Sequence, residues 1–149
     1  MQDKKSKSLS YFNNSFNCAQ SVVATYGPEL GMSEDDCLKI ATAFGAGMGK
    51  QQHVCGAVTG ALMVLSLKFG KALNDPEVNK ENTYNKAEEF LKTFESKNGS
   101  IHCKQLLQGL DMNNERDLIK IHELGLFETA CISYIKQAVD ITEQLLNNE

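Results

Sequence analysis

Five cysteines, Cys18, Cys37, Cys55, Cys103 and Cys131, are the residues of this 149-residue chain best suited to chemistry, and no two of them form a C-x-x-C pair. A thiolate is both a nucleophile and a soft metal ligand. Cysteines distant in sequence that meet in a fold can therefore make a redox pair or a metal centre. Zinc ribbons and the short-spaced ferredoxin signatures hold their ligands in close groups, and that spacing is absent here. Any site must be assembled by tertiary packing, one ligand from each element. Cys55 opens the run Cys55-Gly56-Ala57-Val58-Thr59-Gly60 behind a glycine-rich loop, Gly45 to Gly49. That places it at or near a helix N-terminus, where free N–H groups and the dipole favour a thiolate and lower its pKa. Gly56 and Gly60, four apart, flatten one face so that another backbone or a bulky inorganic group can approach. Plain helix packing through the same groove is the competing reading.

Cys103 follows the candidate cap Ser100 by three residues and falls in a first helical turn, so it shares the thiolate-favouring expectation. Cys18 reads as lying in the middle of the first helix, at the edge of its apolar stripe, and Cys131 on the apolar stripe of the last. Either alone would pass for a buried small hydrophobe. Cys37 faces inward with Ala41 and Phe44 and reads as structural. His53 and His102, each just before a cysteine, are potential metal ligands or thiolate-tuning groups, with exposed loop histidines as the alternative. Lys50 reads as a solvated loop lysine. The glycine-rich loop lacks the preceding strand and βαβ setting of a nucleotide fingerprint, and is better read as freeing the backbone around Cys55. Glu34-Asp35-Asp36 and Glu88-Glu89 read as helix charges.

The elements that must position these thiols are helical throughout. Leu9, Phe12, Phe16, Ala19, Val23 and Tyr26 recur at steps of three and four up to Gly27-Pro28, predicting one amphipathic helix behind a frayed polar start, Met1 to Ser8. Ser33 reads as the cap of a second helix, and Val54 to Phe69, apolar nearly all round, as a central one. A fourth begins after Asn74-Asp75-Pro76 with Tyr84, Ala87, Leu91 and Phe94 inward and Asn98-Gly99 as its stop. Two short helices and a long last one carrying Phe127, Cys131, Tyr134, Ala138, Ile141 and Leu145 complete an all-α, single-domain bundle of about five to seven helices over residues 1–149. A hydrophobic content of 42% and a net charge of −4 suit a soluble globular domain and argue against nucleic-acid binding. No stretch is long enough for a membrane span, and without an apolar leader the expected compartment is the cytoplasm. Small-residue faces leave room for a homodimer.

The cysteines and their setting carry a family resemblance. Asn17-Cys18-Ala19, Gly45-Ala46-Gly47-Met48-Gly49, Cys55-Gly56-Ala57-Val58-Thr59-Gly60, Cys103 and Cys131 occur in an order that resembles the redox-active proteins named for a C-GCAxxG-C-C pattern. The resemblance spans nearly the whole chain. It implies that Cys18, Cys55, Cys103 and Cys131 are the functional set, with Gly56 and Gly60 beside them, and that Cys37 is extra. Three functions follow. Four thiolates supply what an iron–sulfur cluster or another metal needs for electron transfer. Alternatively, Cys55 attacks as a thiolate in thiol–disulfide exchange and another of the set resolves it. The third is a helical binding or scaffold module whose cysteines only pack. The chain has no C-x-x-C-H, so covalent haem is not supported. The redox partner is not readable.

Overall fold

The computed structural model describes residues 3–148. Its helices are α1 (Lys4–Asn13), α2 (Cys18–Tyr26), α3 (Glu34–Ala41), α4 (Gly56–Phe69), α5 (Val78–Asn98), α6 (Cys103–Leu106), α7 (Glu115–Glu123) and α8 (Ala130–Asn147). Single 3₁₀ turns follow α2 and α3, at Gly27–Leu30 and Thr42–Phe44. No β-strand occurs among the described residues, so the all-α expectation holds.

The predicted first helix is in fact two. Asn17 starts a new helix by a capping box: its side chain accepts from the Gln20 amide, and the Gln20 side chain accepts from the Asn17 amide, each at 2.9 Å. This reciprocal pairing satisfies N–H groups that a helix start leaves free. The frayed start is also corrected from Asp3 onward, Met1 and Gln2 lying outside the described residues. Asp3 caps α1 by accepting from the Ser6 amide, and Ser8 is fully buried with its hydroxyl 2.7 Å from that of Thr25 on α2. Ser33 caps α3 as expected, and Gly99, at φ 84°, ends α5.

α4 is central, packed on α2, α5 and α8, and its Ala57, Val58, Ala61, Val64 and Leu65 are fully buried. On α5 the core residues are Phe90 and Phe94, stacked at 6.1 Å between ring centroids; Tyr84, expected inward, is 66% exposed. Each of these buried rings contributes about 1.5–3 kcal/mol. Phe94 in turn meets Tyr134 of α8 at 6.2 Å.

α4 and α2 approach each other closely. A Cβ on Gly56 would lie 3.0 Å from the Ala19 nitrogen and the Phe44 carbonyl oxygen, and one on Gly60 3.0 Å from the Ala19 carbonyl oxygen. Both neighbours are backbone and have little freedom to yield. Gly60→Val is therefore expected to destabilise the protein by about 2 kcal/mol or more, read as a lower urea midpoint at constant m-value.

Candidate four-cysteine site

Cys18, Cys55, Cys103 and Cys131 converge. All four line one part-enclosed cavity of about 150 Å³, together with Phe12, Asn17, Ala46, Gly47, Gly56, Leu106, Leu107, Met112, Phe127 and Tyr134. Each thiol stands at the start of a different helix. Cys18 is the first residue of α2, Cys55 the N-cap of α4, Cys103 the first residue of α6 and Cys131 the second of α8. For Cys18 this revises the expected mid-helix position, because the first predicted helix breaks before it; Cys131 lies on the last helix as expected, although Gly125 to Thr129 form turns and α8 begins later than its stripe suggested.

Local backbone pairing fixes each position. The Cys55 amide donates to the Ile101 carbonyl at 2.8 Å and the Cys103 amide to the His53 carbonyl at 2.7 Å. These bonds flank an isolated antiparallel bridge between Val54 and His102 and lock the two cysteines' segments together. Asn17 holds Cys18 through its cap and donates from Nδ2 to the Thr42 carbonyl at 3.0 Å. Tyr134 donates its hydroxyl to the Leu106 carbonyl at 2.8 Å, tying α8 to α6. Buried Gln52 donates to the Leu110 carbonyl and accepts from the Met112 amide, both at 2.8 Å. Tyr134, Gln52 and Phe12 carry no sequence signal for a site; Asn17 does, as a cap residue three before Gln20.

The glycine-rich loop is left-handed. Ala46, Gly47, Met48, Gly49 and Lys50 all have positive φ, between 51° and 68°, and Gln52 follows at 56°. A non-glycine residue in this region costs about 1–2 kcal/mol, and such strain persists only where surroundings hold it. Here the Gly49 amide bonds to the Ala43 carbonyl at 2.7 Å and the His53 amide to the Gly47 carbonyl at 2.9 Å. A side chain at Gly47 would meet the Gln52 Cα at 2.5 Å, so only glycine fits.

Electrostatics overturn the expectation that Cys55 and Cys103 are acidified by their helix starts. Burial pushes the Cys55 thiol up to about 11, although the Ala57 and Val58 amides favour its ionised form. Burial, then the charges of Cys55 and Cys131, push Cys103 to about 12. Desolvation outweighs the dipole because both thiols are nearly sealed from water, 6% and 9% exposed. The neighbouring pair Cys18 and Cys131 divides instead. Cys18 acts as donor to Cys131, which holds Cys18 protonated well above the ordinary thiol range; burial and the other three cysteines add to this. The same contact lowers Cys131, against the opposing effects of burial and Glu128.

The remaining sequence candidates lie elsewhere. Gly56 borders the cavity, whereas Gly60 is absent from its lining and packs on Ala19. His53 and His102 are exposed and outside the lining. Cys37 is buried among Ala19, Val23, Ala24 and Ala41, its Sγ 3.5 Å from the Met32 carbonyl oxygen. Among the described residues, no three His, Cys, Asp or Glu side chains are grouped closely enough to hold a single metal ion. No helix among the described residues is long and apolar enough to cross a membrane.

The fold is thus a helical one that gathers four cysteines from four helix starts at one cavity. Residues 16–145 match the family described as "Putative redox-active protein (C_GCAxxG_C_C)", and the chain belongs to that family. Where the family's name spells Gly-Cys, this chain has Cys55-Gly56, which places the glycine at the close contact with α2. An uncharacterized protein of Archaeoglobus fulgidus is 26% identical over 97% of this chain and 94% of its own length. No solved structure matches.

The raised thiols make a stability prediction. A group whose pKa is higher in the folded than in the unfolded state stabilises the fold fully below the unfolded value, here 9.0, and loses that contribution as pH rises through the folded value, about 11 for Cys55 and about 12 for Cys103. The metal-free, reduced protein should therefore show a falling urea midpoint from about pH 9 upward, and Cys55→Ser with Cys103→Ser should flatten that fall.

Proposed function

We propose that Cys18, Cys55, Cys103 and Cys131 hold a polynuclear metal cluster of the iron–sulfur type and that the protein transfers electrons through it. The convergence of four thiols on one cavity with an otherwise largely apolar lining carries this reading. The donor set fits: thiolates are the ligands such clusters take, and an arrangement around a cavity suits an occupant with several metal centres better than a lone ion. When bound, such a cluster supplies one-electron redox chemistry. The residues supply its setting. Phe12, Leu106, Leu107 and Phe127 limit water and lower the local dielectric, which with burial sets a potential. Cys18, Cys55 and Cys103, held protonated in the metal-free protein, give up protons to metal binding.

Protein purified without oxygen, or reconstituted with ferrous iron and sulfide, should be coloured and contain both elements. Loading should release protons near neutral pH, those of Cys18, Cys55 and Cys103 among them. Each of the four Cys→Ser variants should lose most of the bound iron, while Cys37→Ser should keep it. A protein that takes up neither iron nor sulfide and retains four reactive thiols would overturn the reading.

The opposite shifts of Cys18 and Cys131, the one held protonated and the other lowered, favour a second reading, thiol–disulfide exchange, with the attacking role moved from Cys55 to Cys131. The Cys131 thiolate attacks an external disulfide such as oxidised glutathione and releases one glutathione thiolate. Cys18, losing its proton to solvent, then displaces the second glutathione and closes a Cys18–Cys131 disulfide, so two electrons pass to the glutathione pair. Oxidised glutathione should then remove two titratable thiols from the metal-free protein. Cys131→Ser should abolish that loss and Cys55→Ser should leave it intact; the reverse pattern would restore Cys55 as the nucleophile.

A further inference from the structure

The cavity has a donor that the four cysteines do not account for. Gly47 is buried and lines the cavity, yet its amide donates to no group among the described residues. The amide of Ala46, also in the lining, likewise finds no acceptor. Buried N–H groups without a partner are rare, because each carries the full penalty of lost hydration. The following amides of the turn are all engaged: those of Met48, Gly49 and Lys50 donate to the carbonyls of Phe44, Ala43 and Gly45.

The polar side chains of the lining are engaged as well, Asn17 with the Thr42 carbonyl and Tyr134 with the Leu106 carbonyl. No lysine, arginine or histidine borders the cavity. An occupant bearing the charge of four thiolates would thus have few partners other than backbone amides. The left-handed conformation places two free ones, on consecutive residues, in the cavity wall.

We propose that the Gly47 amide, with that of Ala46 beside it, is a hydrogen-bond donor to an anionic, sulfide-bearing metal cluster among the four cysteines, and that the left-handed turn exists to present it. This rests on the cluster reading above and adds a specific contact to it. Hydrogen bonds to cluster sulfur are among the determinants of reduction potential, so the turn becomes a tuning element. They also give the strain of Ala46, Met48 and Lys50 a purpose.

The test is amide hydrogen exchange on the full chain, resolved to single residues by fragmentation mass spectrometry, before and after anaerobic loading with ferrous iron and sulfide. Gly47 exchange should slow by about tenfold or more, as expected for a new bond to a charged acceptor. Gly49, in the same turn but already bonded to Ala43, should slow far less than Gly47, reporting only the general stabilisation that loading brings. Loading with Gly47 unchanged, or with both glycines slowed alike, would overturn the donor role and leave the cluster intact. Failure to load iron and sulfide would overturn the cluster and the donor role together.

Discussion

The close seating of α4 on the start of α2 is the contact on which the rest of the site depends. Gly56 and Gly60 let the Ala19 backbone approach so closely that a larger residue would force it to give way, and Cys18 and Cys55 are brought beside one cavity as a result. The asparagine cap of α2 sharpens the arrangement, because Asn17 also reaches the Thr42 carbonyl and so orients the segment entering the left-handed turn. From there the bridge between Val54 and His102 carries the register to Cys103. The Tyr134 hydroxyl, bound to the Leu106 carbonyl, carries it on to the helix bearing Cys131. A chain of short-range backbone contacts thus does the work that closely spaced ligands do in a zinc ribbon.

Much of the helical architecture was legible because its signals are local. Ser33 and Gly99 have the chemistry of helix ends, and the run after Cys55 is too apolar for anything but a central helix. The break before Cys18 escaped because Phe12 and Phe16 keep helical spacing across it. Spacing alone therefore could not show that every cysteine of the set begins a helix. Cys37 was separable, since its neighbours Ala41 and Phe44 made it part of a packed face. Gly27 accommodates it: a Cβ there would fall 2.1 Å from the Cys37 sulfur.

The protonation of the thiols was not legible, because it depends on a competition that sequence does not express. A helix start favours a thiolate by a modest dipole effect that fades within one turn. Removal from water opposes it, and the depth of burial is known only once α2, α4, α6 and α8 have met. The left-handed turn was equally hidden. Its glycines suggested freedom, but three of its five residues carry side chains, and no local preference places alanine, methionine and lysine there.

The 21-residue α5 separates Cys18 and Cys55 from Cys103 and Cys131, so the cavity joins the two ends of the chain across its longest helix. An occupant held by all four thiols would act as a cross-link between these segments. It would bind the folded chain far better than the unfolded one, and stability would rise with its free concentration. Folding and cofactor supply would then be thermodynamically linked, with the metal-free chain the state most easily opened.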